Sequence, residues 1–163
     1  MDKTELIKSL PENACKPGLG VFIETKLEDD IVSLFWDYID FCLAMNYPSC
    51  DFIERNKDAA NKQHLYVNHK STLKNIEKAA FLGASVCDVV YTGFTVSRLY
   101  VKHTSKLNVK ATDNAFVMID ALDSSDVAVE TSGNARVIVN LYSKATSKGA
   151  TKTIQKHFET YEL

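Results

Sequence analysis

The chain has 163 residues, 45% of them apolar and 25% charged, with a formal net charge of −2. That composition excludes wholesale disorder, and apolar runs such as residues 79–82 are far too short to cross a bilayer. The near-neutral balance gives no global electrostatic case for nucleic acid, and a chain this long buries a core without needing a disulfide or a metal to fold.

Residues 1–10 carry Asp2, Lys3, Glu5 and Lys8, which does not read as a secretory signal. Residues 3–10 are a short helix candidate stopped by Pro11, and Lys16-Pro17-Gly18-Leu19-Gly20 is a turn signal. Val21-Phe22-Ile23 reads as a short strand. Residues 29–45 give the strongest helix in the chain, with Asp29 as N-cap and acids in the first turn to suit the helix dipole. Its polar stripe is narrow (Asp30, Ser33, Asp37, Asp40), so it is expected to be buried on most sides. Asn46-Tyr47-Pro48 ends it, Ser49 caps a second short helix carrying Phe52 and Ile53, and the polar residues 56–63 read as a loop.

From Leu107 the chain repeats every ten residues. Leu107, Val117, Val127 and Val137 are equivalent, and so are Val109, Ile119, Val129 and Val139. Lys110, Asp120, Glu130 and Asn140 take the next position, followed by turns at Asp113-Asn114-Ala115, Asp123-Ser124-Ser125, Gly133-Asn134-Ala135 and Ser143-Lys144-Ala145. Each decad is a short strand and a tight turn, and four aligned units mark a repeat architecture. Less regular forerunners run back through Leu99-Tyr100-Val101 and Val86-Cys87-Asp88-Val89.

An antiparallel meander and a β-solenoid with two strands per coil both fit. The outward positions favour the solenoid. Alternate strands point polar residues out (Asn108, Lys110, Thr112; then Ala128, Glu130, Ser132), whereas those between point out Met118 and Leu122, then Ile138 and Tyr142. The expected fold class is α+β: a mainly helical part over residues 1–80, packed on or beside a short solenoid with a C-terminal cap over residues 81–163. The apolar column Met118, Leu122, Ile138 and Tyr142 is the expected interface, covered by the long helix or by a second subunit.

Charge is uneven. Residues 1–56 carry a net −6, residues 57–106 a net +5 and residues 107–163 a net −1. The two opposed blocks suit docking within one chain; alternatively the basic middle meets an anionic ligand. Lys70, Lys74, Arg98, Tyr100, Lys102 and His103 are the candidate ligand-binding residues, with Tyr66, Tyr91 and Phe94 nearby.

Little else points to chemistry. The cysteines (Cys15, Cys42, Cys50, Cys87) show no CxxC or zinc-finger spacing, and Cys42 and Cys87 read as core hydrophobes, reduced and intracellular. His64 and His69 would face opposite sides of a strand. Asp113 with Asp123, and Asp120 with Glu130, are expected to stack, which suits turn chemistry better than calcium, since the calcium-binding repeat has Gly-Gly and period nine. No phosphate loop, nucleophile elbow or HExxH is present. No catalytic residue, cofactor or metal is expected, and about three coils are few for the groove that parallel β-helix lyases and hydrolases use.

The stretch from Phe35 through Trp36-Asp37-Tyr38-Ile39-Asp40 to Asn46-Tyr47-Pro48-Ser49, followed by Leu99-Tyr100-Val101-Lys102-His103 and Ser132-Gly133-Asn134-Ala135-Arg136-Val137, resembles small uncharacterised proteins of Bacteroides-type bacteria and their phages. The resemblance covers most of residues 27–145. It implies a phage or prophage setting, in the cytoplasm of a bacterial host cell or in the virion, and brings no functional residues with it. The resulting expectation is a non-enzymatic, homo-oligomeric structural or interaction protein. A module that sequesters a small anionic ligand such as a nucleotide immune signal is the alternative, and a glycan- or nucleotide-processing enzyme the second alternative.

Overall fold

A computed structural model describes residues 28–161. The helix expected over residues 3–10, the turn at 16–20, the strand at 21–23 and Cys15 lie outside the described residues. The chain divides into two compact units, one ending at Gln63 and including Tyr161, the other spanning His64–Thr160.

The first unit contains helices α1 (Glu28–Asp37), α2 (Ile39–Met45), α3 (Cys50–Arg55) and α4 (Lys57–Lys62). The expected single long helix is thus two, because Tyr38 leaves helical geometry at φ −122°, ψ 37°. Val32 and Phe35 bury on the first segment, Cys42 and Leu43 on the second. The intended stop holds: Asn46 takes a left-handed conformation at φ 53°, and its N–H caps the Cys42 carbonyl. Ser49 caps α3, its hydroxyl accepting from the Phe52 N–H at 3.3 Å. Residues 56–63 are not the loop that their polarity suggested. Lysine and alanine are good helix formers, and α4 buries Ala60 while its polar side chains stay in water. The Trp36 indole N–H donates to the Gln63 carbonyl at 2.9 Å, and the Gln63 amide to the Ser33 hydroxyl at 2.9 Å, tying α1 to the end of α4.

The second unit is a parallel β-solenoid of about four coils, each of about twenty residues. Its strands are β1 (Leu65–Val67), β2 (Lys70–Lys74), β3 (Lys78–Leu82), β4 (Val86–Tyr91), β5 (Val96–Val101), β6 (Lys106–Ala111), β7 (Phe116–Ala121), β8 (Asp126–Thr131), β9 (Arg136–Leu141), β10 (Thr146–Lys148) and β11 (Lys152–Gln155). Odd-numbered strands form a six-stranded sheet, here sheet A, and even-numbered strands a five-stranded sheet B. Strands begin at Leu65, ahead of the boundary placed at residue 81. The C-terminal stretch expected as a cap continues both sheets, with β10 pairing β8 and β11 pairing β9.

The core is the decad column itself. Leu107, Val117, Val127 and Val137, with Val109, Ile119, Val129 and Val139, all point in and are buried. Each such side chain contributes about 1.5–3 kcal/mol relative to exposure. The corners repeat as strictly. Gly83, Gly93, His103, Asp113, Asp123, Gly133 and Ser143 stand ten apart, all with φ between 53° and 70°. At Gly133 a Cβ would meet the Asp113 carbonyl oxygen at 3.1 Å, so glycine there answers both conformation and space. Ser85, Ser105 and Ser125 turn inward beside these corners, their hydroxyls donating to the Leu82, Gly83 and Val101 carbonyls.

A twenty-residue coil corrects the expected acid stacks. Asp113 lies between Gly93 and Gly133 on one edge, and Asp123 between His103 and Ser143 on the other. Asp120 belongs to sheet A and Glu130 to sheet B. Neither expected pair forms.

Val127 has no exposed surface. Val127→Asp should leave an unpaired carboxylate in the core and cost about 3 kcal/mol or more. An unchanged thermal midpoint would show the inward assignment to be wrong.

Candidate functional site

Strand alternation leaves three outward positions on each six-residue strand, and these columns carry the chemistry of each face. On sheet A the columns are polar as well as apolar. Arg98 donates to Asp120 at 3.1 Å, and Asn140 donates to the other Asp120 oxygen at 2.6 Å. Asp120 is only 2% exposed, so both its oxygens are satisfied where desolvation would otherwise be costly. The Arg98 guanidinium lies 5.3 Å from the Tyr100 ring centre. Lys102, 3% exposed, pairs with Asp123 at 3.2 Å. Sequence reasoning set Asp120 beside Glu130, ten residues on, and gave Asn140 no role; the twenty-residue spacing of Asp120 and Asn140 was the available signal.

The six candidate ligand residues do not form one cluster. Arg98 and Tyr100 are on sheet A, with Lys102 and His103 in the corner that follows β5, while Lys70 and Lys74 point outward from β2 of sheet B. Two of the nearby aromatics, Tyr66 and Tyr91, are buried, and Phe94 is 86% exposed in the turn before β5. In the proposed interface column, Leu122 and Tyr142 are buried within the single chain, while Met118 and Ile138 are half-buried.

The histidines take positions in the frame. His64 shares a hydrogen bond with the Tyr66 hydroxyl at 2.9 Å, and Tyr66 stacks on His69 and Phe81. His103 Nδ1 accepts from the Gly83 N–H at 3.0 Å, while its own backbone N–H donates to Asp123. Burial and the neighbouring Lys102 push the His103 imidazole below its usual pKa, with Asp123 opposing. The unfolded chain therefore takes up this proton first as pH falls. Stability should be complete above about pH 6.5, decline below it, and stop declining below the folded pKa. His103→Asn tolerates the left-handed backbone and keeps an acceptor for Gly83. It should match the parent near pH 7.5 and flatten that acid decline in thermal melts. An identical decline in the variant would assign the effect elsewhere.

Cys42, Cys50 and Cys87 are unbridged. Burial pushes the Cys42 thiol up to about 12 and raises that of Cys87, whose thiol donates to the His69 carbonyl at 3.5 Å. Neither is suited to serve as a thiolate nucleophile at neutral pH. Alkylation without reductant should spare both in the folded protein and label all four cysteines on unfolding, as read by intact mass. A deficit after unfolding would reveal a disulfide.

Sheet B presents the other surface. Its outward rows are Lys70, Thr72 and Lys74 on β2; Val86, Asp88 and Val90 on β4; Lys106, Asn108 and Lys110 on β6; Asp126, Ala128 and Glu130 on β8; and Thr146 and Lys148 on β10. Most are exposed. Asn108 donates to Asp88 at 2.8 Å, and Thr146 to Asp126 at 2.7 Å. A shallow depression of about 680 Å³ lies over this face, around Asn108, Lys110, Ala128 and Glu130.

Among the described residues, no three His, Cys, Asp or Glu side chains are grouped to hold a metal ion, and no helix is long and apolar enough to cross a membrane. No family model, curated protein or solved structure matches the chain.

Proposed function

We propose that the chain is a non-enzymatic structural or interaction protein of phage or prophage type, acting in the bacterial host cell or the virion, with the solenoid as a rigid scaffold and oligomerisation surface. One observation carries this reading. Sheet B holds five strands in direct register and presents their outward side chains as continuous rows to water. Such a face offers a fixed grid for a flat partner. The phage setting rests on the resemblance of residues 35–49 and of the repeat.

Sequestration of a small anionic ligand is the second reading. Lys70 and Lys74 favour it, since neither meets a carboxylate among the described residues, whereas Arg98 and Lys102 are already paired with Asp120 and Asp123. Native mass spectrometry of the purified protein separates the two. The scaffold reading expects masses that are whole multiples of the chain. A reproducible added mass that disappears on denaturation, and on Lys70→Glu with Lys74→Glu, would replace it with the second reading.

A further inference from the structure

The charges of sheet B run in rows along the strands, and their sign changes from one strand to the next along the solenoid axis. Register places Lys106 beside Asp126 and Lys110 beside Glu130, with Asn108 beside Ala128 between them. One strand further out on either side, Asp88 and Lys148 occupy that same middle column. Lys106 and Lys110 have no carboxylate within ion-pair distance among the described residues, and both are exposed.

This pattern is its own complement under one operation. Take a two-fold axis in the plane of the face, parallel to the strands and midway between β6 and β8. Strand order reverses, while position along each strand is kept. Lys106 then faces Asp126 of a second copy, Lys110 faces Glu130, and Asp88 faces Lys148, each pair occurring twice. Asn108 lands over Ala128, the small side chain in the middle of the depression. A two-fold axis along the solenoid instead sets Lys106 against Lys110 and Asp126 against Glu130, which is like on like. The charges thus select one of the two face-to-face arrangements.

We infer that sheet B is an isologous interface, and that its occupant is a second copy of this chain related by the strand-parallel two-fold. The inference rests on the scaffold reading and gives its oligomerisation surface a location other than the Met118 column. The four paired strands about 4.8 Å apart, with up to six residues at about 3.3 Å each, give a face of at most roughly 380 Å² per copy. A stable interface takes about 800 Å² per partner, so the dimer is a weak one, with dissociation in the micromolar range or above. Its attraction is charge on charge near water, so it is sensitive to salt.

Sedimentation velocity on the full chain at low salt should show a concentration-dependent dimer, weakened roughly tenfold or more by raising salt from about 0.05 to 0.5 M. Lys106→Glu with Lys110→Glu should abolish it. So should Asp126→Lys with Glu130→Lys. Mixing those two variants should restore dimer as the mixed species, because every facing pair is then opposite in sign. Lys70→Glu with Lys74→Glu should leave the dimer unchanged, since β2 falls outside the paired strands. A monomer at all concentrations, a dimer surviving either reversal, a mixture that stays monomeric, or a dimer lost on changing Lys70 and Lys74 would each overturn the proposal. Circular dichroism of each variant checks that it is folded, and the mixing arm needs both variants folded to succeed. A dimer that ignores these charge reversals would remove this interface and leave the scaffold and oligomerisation reading standing; a ligand-free monomer would remove its homo-oligomeric part as well, and a ligand-bearing chain would remove that reading itself.

Discussion

A chain that turns back on itself every ten residues needs, at each corner, a backbone conformation that most side chains resist. The left-handed region costs an L-residue roughly 1–2 kcal/mol. The solenoid meets that cost at every corner from Gly83 to Ser143 with glycine or with short polar or ring side chains. Several then return a hydrogen bond to the coil before them. Asp113 accepts from the Gly93 N–H, His103 from Gly83, and Asp123 from His103. Backbone bonds follow the same step, with the N–H groups of Asn114, Ser124 and Asn134 donating to the carbonyls of Gly93, His103 and Asp113. Corner strain and corner bonding are therefore one device, and it fixes the register of both sheets.

Once register is fixed, the interior has little freedom. A position pointing inward in one coil points inward in the next, so the core becomes columns of Val, Leu, Ile and Ala. That is why this part of the fold was legible. The decads from 107 to 145 repeat strictly, and their alternation divided the strands into two classes at twenty-residue spacing, which implies two sheets. The first and last coils were not legible for a physical reason. Leu65 pairs with Ala80, fifteen residues on, and Lys152 with Ile138, fourteen back. Shorter coils break the period while preserving the hydrogen-bond ladder, so the boundary drawn at residue 81 fell inside the solenoid. The helix broken at Tyr38 hid for another reason: an unbroken apolar pattern records burial, and one residue's departure from helical dihedrals leaves no mark in composition.

The candidate ligand residues were less legible because clustering in sequence is not clustering on a solenoid. Lys70 and Arg98 sit in one basic block of the chain yet on different sheets, and Arg98 and Lys102, on β5 and in the corner after it, each meet an acid one coil later. Arg98 finds Asp120, and Lys102 finds Asp123. A block that is basic by count is thus partly neutralised by residues outside it. Charge along the chain was the wrong coordinate; charge at twenty-residue spacing is the one that the structure uses.

This leaves a division of labour within each strand. In β6 the inward Leu107, Val109 and Ala111 answer to packing, and the outward Lys106, Asn108 and Lys110 answer to nothing in the core. Outward side chains on such a frame are free to vary without disturbing the fold. Where they nevertheless form a pattern, neighbouring strands account for part of it: Asn108 donates to Asp88, and Thr146 to Asp126. On sheet A the outward Asp120 and Asn140 are buried and hydrogen-bonded, and their surroundings account for them. On sheet B, rows of lysine, of valine flanking aspartate, and of aspartate with glutamate follow one another in water, where single charges of either sign would solubilise equally well. Solubility alone does not order charges into rows; the order sets lysines beside acids on the adjoining strand, and it is this order that the proposed second copy would meet in reverse.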